Sequence, residues 1–266
     1  MKAIMLAAGV GRRLYGDDES QPPKALLRFD GKTLLRRHVE ILRDNGVNEL
    51  VLVVGYRKDE VVAEAAAAGG HGFVRTIENR DFRGGPIISL WTAREVLREG
   101  ASVLFMDADV LYHPRLIERL LRSPHDNCFL LDRGIEPGED PVRLCIRGGV
   151  PVEFGKGIEG EFDLVGEWPG FLRLTPRVAA RVADAAQAHM DAGRRHVTYE
   201  IAMRDVLLSE PPGTFGYEDI TGIPWIEIDY PSDLMRAETQ VLKRIHAHGR
   251  EVTADAARQG GSAAGS

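Results

Sequence analysis

The chain is short of three things: cysteine, long apolar runs and an excess of positive charge. Its two cysteines, Cys128 and Cys145, lie outside any CxxC pair and away from histidines at zinc-ligand spacing. Neither a thiolate metal site nor a disulfide framework is therefore expected; two isolated thiols read as small buried hydrophobes in a reducing cytoplasm. No apolar run approaches the ~20 residues that a membrane-spanning helix needs. The first apolar stretch, Ala3 to Ala8, gives way to glycine and arginine too early for a signal peptide. No membrane insertion and a cytoplasmic location are the expectation. A formal net charge of −6 argues against a general nucleic-acid binder, because gripping a phosphate backbone needs a basic face. The eight histidines form no HExxH pair and no ligand cluster, and no Ser-His-Asp order or cysteine nucleophile emerges, so covalent catalysis is not expected. His38 falls on the inner face of a predicted helix, the position of a satisfied core histidine rather than a ligand.

What is present is a globular composition, 44% hydrophobic and 28% charged, in a chain long enough to bury a large core. "KAIMLAAG" is a short apolar run ending in glycine, which predicts a buried parallel strand. Residues 33–46 predict a helix with Thr33 as N-cap and Gly46 as C-cap. "ELVLVVGY" reads as a strand, 58–68 as a helix, "GFVRTIEN" as a strand, "PIISLWTAREVLREG" as a helix, "ASVLFMDADV" as a strand, and a further helix starts near Pro114. This alternation predicts an α/β fold, a Rossmann-like three-layer α/β/α arrangement with a mostly parallel sheet. Four short strand candidates between 127 and 175 suggest a mixed or antiparallel extension of the same sheet. Helices at 176–192 and 199–208, the strand "IPWIEID" and a closing helix at 231–248 complete a single domain over residues 1–248. Residues 249–266, ending "GGSAAGS", are small and polar and are expected to be disordered.

The stretch Leu6-Ala7-Ala8-Gly9-Val10-Gly11-Arg12-Arg13-Leu14 follows the first strand directly. A glycine turn at the carboxyl edge of a parallel sheet lets backbone N–H groups approach an oxyanion. The third glycine of GxGxxG is missing and no Walker lysine follows, so neither a dinucleotide fingerprint nor a P-loop fits. Together with Pro23-Lys24-Ala25-Leu26-Leu27, the stretch resembles the signature of the sugar-1-phosphate and choline-phosphate nucleotidyltransferases, L-A-A-G-x-G-x-R-L followed by P-K-A-L. "DGKTLLRRHVEILRDNGVNELVLVVGY", "MDADV" and "WIEIDYPSDL" match later parts of that family in order.

The resemblance implies a nucleotide-diphospho-sugar transferase-like fold, with residues 1–125 as the nucleotide-binding half and 126–248 as the acceptor-binding half. It implies attack by an acceptor oxygen on the α-phosphate of a nucleoside triphosphate, with release of pyrophosphate. Leu6, Ala7, Ala8, Gly9 and Gly11 fall on the nucleotide loop, with Gly85, Ser89 and Asp107 as further nucleotide contacts. Arg13 takes the position that grips the β- and γ-phosphates, and Lys24 the one that neutralises charge at the reacting phosphate. Arg12, the variable position, is expected to point away. Mg²⁺ is implied as cofactor, with Asp109 and Asp229 as ligands, Glu227 beside them and Asp107 assisting or holding a water. Without the motif, Arg13 and Lys24 would read as solvated surface charge, and either acid pair as turn caps.

The chain looks closest to compact cytidylyltransferases acting on phosphocholine or 2-aminoethylphosphonate, with CTP as donor. The stretch Arg83 to Leu90 departs from the phosphocholine type, which has an asparagine-bearing segment there. Tyr112, Lys156, Trp168 and Glu200 are the expected acceptor contacts. A sugar- or inositol-phosphate nucleotidyltransferase using UTP, GTP or CTP is the enzyme alternative, and a nucleotide-binding regulatory module the non-enzyme one. The presence of Arg13, Lys24, Asp109 and Asp229 together favours an enzyme. Nothing in the sequence decides whether it forms a homo-oligomer.

Overall fold

Lys2–Ala7 lies near the middle of a seven-stranded sheet, flanked in parallel by Glu49–Val54 and Val103–Asp107. The computed structural model from which this is read describes residues 1–134 and 141–248, so the expected disordered tail lies outside the described residues. Across the sheet the order is Phe215–Asp219, Asn127–Leu131, Phe171–Leu174, Val103–Asp107, Lys2–Ala7, Glu49–Val54 and Val74–Glu78. Only Phe171–Leu174 runs antiparallel to its neighbours; the other pairings are parallel.

Alternation along the strands divides the core into two layers. Ala3 and Met5 face a layer made with Leu35, Val39 and Leu42 of the helix Leu34–Asp44, Val61 of Lys58–Ala67 and Leu116 of Arg115–Arg122. Ile4, Val51, Val53 and Phe105 face the other, made with Ile88 of Ile87–Thr92, Val178 and Val182 of Pro176–Asp191 and Met203 of Glu200–Ser209. The fold is the expected three-layer α/β/α arrangement. Thr33 caps its helix as predicted, its side chain accepting from the Arg36 amide; the C-cap is Asn45, with Gly46 one position later at φ +72°.

Three expectations are corrected, and one strand is not foreseen. The helix predicted over 86–100 breaks at Ala93 into Ile87–Thr92 and Arg94–Leu97. The strand "ASVLFMDADV" breaks after Asp107, and its second part, Val110–Tyr112, pairs with Trp225–Glu227 in a separate antiparallel ribbon rather than in the main sheet. The strands Arg143–Arg147 and Val150–Gly155 leave the main sheet as well, forming a three-stranded antiparallel sheet with Leu164–Glu167. Phe215–Asp219, at the sheet edge, is not predicted by its mixed "FGYED" pattern.

A third apolar cluster fastens the site elements to each other. Leu14 of the glycine-loop helix, Leu111 and Ile226 of the ribbon, Ile228, and Val241 and Ile245 of the closing helix pack together. Phe129 does the same for the two sheets: it is fully buried, with ring centroids 4.9 Å from Phe154 and 5.5 Å from Phe215. Phe129→Ala should cost about 3–5 kcal/mol in urea denaturation; a loss below about 1 kcal/mol would mean that the small sheet does not depend on this contact.

Candidate active site

The first strand and Val103–Asp107 end side by side, Leu6 in register with Asp107, so the glycine loop and the acidic strand end leave the same edge of the sheet. Gly11 adopts φ +76° and starts the short helix Arg12–Tyr15; a Cβ there would stand 3.1 Å from the Tyr15 ring. That left-handed backbone turn is the one place in the loop where glycine is required. A cavity of about 270 Å³ follows, lined by Leu6, Ala7, Gly9, Gly11, Arg12, Arg13, Lys24 and Asp109 among others. Arg12 borders the cavity and is exposed to solvent. Ala8 is buried beneath it, its carbonyl accepting from the Tyr56 amide at 3.1 Å.

On the far side of Arg13 lies a second cavity of about 170 Å³, whose walls carry Asp107, Lys156, Glu167, Trp168, Tyr199 and Glu200. Glu227 and Asp229 also line it. Between the two cavities, carboxylate oxygens of Asp109, Glu227 and Asp229 all lie within 4.8 Å of one another. Lys24 Nζ bridges this cluster, 3.0 Å from Asp109 Oδ2 and 2.6 Å from Asp229 Oδ1, and Arg13 Nη1 lies 2.8 Å from Asp229 Oδ2. The backbone ties the same groups together, since the Ile228 amide donates to the Asp109 carbonyl at 3.0 Å.

Electrostatics follow from this crowding. Burial opposes the charge on Lys24, but Asp109 and Asp229 outweigh it and hold the ammonium's pKa above its ordinary value. Burial, then Asp109 and Asp229, push the Glu227 pKa well up, with Lys24 acting in the opposite sense. Asp107 is raised for the same reasons, by burial first and then by Asp109 and Glu227, while the Tyr199 hydroxyl donates to its Oδ2 at 2.5 Å. Three clustered carboxylates that already attract an ammonium match a hard divalent cation, which prefers oxygen ligands, so the residues present fit Mg²⁺.

The sequence-predicted residues do not all converge. Arg13, Lys24, Asp109, Glu227 and Asp229 meet at the junction, and Lys156, Trp168 and Glu200 reach the second cavity. Asp107 belongs to that second cavity rather than to the glycine-loop cavity. Trp168 is 3% exposed, with its indole N–H on the Phe171 carbonyl at 2.7 Å, so it forms a back wall. Tyr112 lines neither cavity; it is buried under the sheet against His38 and Phe171. Gly85 and Ser89 line neither as well. Gly85 packs on the Arg195 carbonyl, where a Cβ would stand 1.8 Å away, and Ser89 accepts from Asn79 Nδ2 at 3.1 Å. Tyr199 and Glu167, an aromatic and an acid that the sequence already offers beside Glu200 and Trp168 for a cationic head, line the second cavity as well; sequence reasoning missed Tyr230, which follows Asp229.

Comparison with known proteins places the chain among nucleotidyltransferases. A bifunctional IPC transferase and DIPP synthase of Rubrobacter xylanophilus is 34% identical over 244 residues, covering 90% of this chain and 52% of that one. A CMP-5'-(3-aminopropyl)phosphonate synthase of Streptomyces rubellomurinus is 29% identical over 249 residues, covering 90% of this chain and 38% of that one. The chain thus spans about half or less of the length of these two relatives. The structure of the inositol-1-phosphate CTP transferase from T. maritima superposes with a TM-score of 0.70 at 20% identity, covering 92% of this chain and 94% of that one, which establishes the shared fold. Residues 3–150 match the MobA-like NTP transferase domain, and the chain belongs to that family.

Proposed function

We propose that this protein transfers CMP from CTP to a small phosphate or phosphonate acceptor bearing an ammonium head, releasing pyrophosphate, with Mg²⁺ held by Asp109, Glu227 and Asp229. The observation that carries this reading is the carboxylate cluster, bridged by Lys24, between a glycine-loop cavity and an acid-lined cavity. A triphosphate in the first cavity meets the loop's backbone N–H groups and the guanidinium of Arg13. An acceptor oxygen entering from the second cavity attacks the α-phosphorus; the new P–O bond forms as the bond to the pyrophosphate oxygen breaks. Lys24 supplies positive charge where the transferring phosphoryl group gains negative charge, and the bound metal would neutralise phosphate oxygens beside it. Cytidine as the base is supported by the CMP product named for the Streptomyces relative.

The acceptor head is argued from Glu200. Burial raises its pKa, and its Oε2 is buried with no hydrogen-bond partner. A buried carboxylate oxygen without a donor costs free energy that an incoming N–H would recover. A primary ammonium brings three such donors, whereas a trimethylammonium group brings none and needs aromatic faces instead. Of the cavity's aromatics, Trp168 is committed to the core, Tyr199 to Asp107, and the Tyr230 ring already lies under the Arg13 guanidinium at 5.9 Å, so the cavity favours an aminophosphonate over phosphocholine. A polyol phosphate would present O–H donors to the same oxygen, and the 34%-identical IPC transferase relative keeps that second reading in view.

Pyrophosphate release, measured over four nucleoside triphosphates and a panel of 2-aminoethylphosphonate, phosphocholine, inositol 1-phosphate and glucose 1-phosphate, separates these readings. CTP with 2-aminoethylphosphonate should turn over fastest; activity confined to the sugar and inositol phosphates would overturn the proposed acceptor. Glu200→Gln should raise KM for the amino acceptor about ten- to hundredfold while leaving KM for CTP near its original value. An unchanged acceptor KM would remove Glu200 from the site.

A further inference from the structure

His38 is fully buried on the inner face of Leu34–Asp44, yet it is not simply filling the core. Its Nε2 lies 3.1 Å from the carbonyl oxygen of Ala108, and its Nδ1 lies 3.1 Å from the hydroxyl of Tyr112. A carbonyl can only accept, so Nε2 must carry the hydrogen; Nδ1 is then bare and accepts from the tyrosine O–H. Burial lowers the His38 pKa to about 4, which keeps the ring neutral in this one tautomer. The two rings stack with centroids 5.3 Å apart, and Tyr112 packs edge-on against Phe171 at 4.9 Å. Each polar atom of the pair is used, and the pair is held from both sides.

What the pair holds is the link between two ladders. Main-sheet pairing ends at Asp107, and ribbon pairing begins at Val110. Ala108 and Asp109 lie in the gap, and their carbonyls are tethered from different elements: Ala108 to His38, Asp109 to the Ile228 amide. Asp109 carries a cluster carboxylate, and it lies one residue beyond the His38 tether. An untethered buried carbonyl is unfavourable, and a backbone free to turn to find another donor would move the carboxylate with it.

We propose that His38, its ring oriented by Tyr112, is a positioning residue for this turn: its Nε2–H holds the Ala108 carbonyl and so sets where the Asp109 carboxylate stands against Glu227 and Asp229. The proposal rests on the reading of those three acids as a divalent-metal site. It gives Tyr112 a role beneath the sheet in place of the expected contact with the acceptor. Substitutions here act through Asp109 and not through direct contact with either substrate, so metal affinity is the property that they change first.

The test is Mn²⁺ binding to the full chain, without nucleotide, followed by electron paramagnetic resonance alongside urea denaturation. His38→Leu fills the space but cannot donate, and should weaken Mn²⁺ binding about tenfold. His38→Gln places an amide N–H near the Nε2 position and should recover most of that loss. Tyr112→Phe leaves the ring but removes the O–H that orients the imidazole through Nδ1; it should lose about threefold in Mn²⁺ affinity, less than loss of the tether itself. ¹⁵N spectra of the imidazole should show the Nε2–H form both in the original protein and in this variant, with the Nδ1 resonance shifted in the variant where its hydrogen bond is lost. If His38→Leu fails to fold, Tyr112→Phe and the spectra still decide. Original Mn²⁺ affinity in folded His38→Leu or in Tyr112→Phe, or an Nδ1–H ring in the original protein, would overturn the tether alone. A chain that binds no Mn²⁺ before any substitution would overturn the metal reading, and the tether with it.

Discussion

One ammonium among three carboxylates is the interaction on which the rest of this structure depends. At 4.8 Å, the outer limit of the spacing in the Asp109, Glu227 and Asp229 cluster, two full negative charges repel by roughly 3–4 kcal/mol at an effective dielectric of ~20. Such a cluster persists only where cations or protons offset it. Lys24 supplies the inner counter-charge and Arg13 a second one at Asp229. Any account of the chemistry must begin from that balance, because a phosphate or metal entering the junction changes it directly.

The fold exists around this junction in a specific way. Lys24 comes from the turn after the glycine loop, Asp109 from the gap between two ladders, and Glu227 and Asp229 from the end of a chain segment that never joins the main sheet. The ribbon of Val110–Tyr112 with Trp225–Glu227 brings the last two acids to the first, and the third apolar cluster fixes the ribbon against the glycine-loop helix. Two cavities with different linings result. One offers glycine backbone and guanidinium groups, suited to phosphates; the other offers several carboxylates and a carboxylate oxygen still lacking a donor, suited to a cationic head.

Much of this could be read from the sequence. The βα alternation marked the three layers because each buried strand is a continuous apolar run. The linked motifs marked Arg13 and Lys24, and the spacing of two placed Glu227 and Asp229 on one side of a strand end. Pairing was less visible: "WIEID" reads equally well as a main-sheet strand, and nothing local says that "ADV" leaves the sheet after Asp107. Tyr112 was expected at the acceptor because it is a large aromatic beside a motif. Strand alternation instead turns it toward His38, so proximity in the chain misled where parity would have helped. Tyr199 and Glu167 reach the site beside Glu200 and Trp168, their neighbours in the chain, whereas Tyr230 carries no motif signal of its own and comes to the cavity by packing over Arg13.

The central claim is that Lys24 acts on the reacting phosphate and does more than neutralise the carboxylate cluster. Single-turnover transfer of CMP from CTP by Lys24→Ala, compared with the original protein at saturating acceptor and Mg²⁺, tests this most directly. A rate lower by about 10²–10³-fold in a folded variant that still binds CTP is the predicted result. A rate within a few-fold of the original would contradict the account.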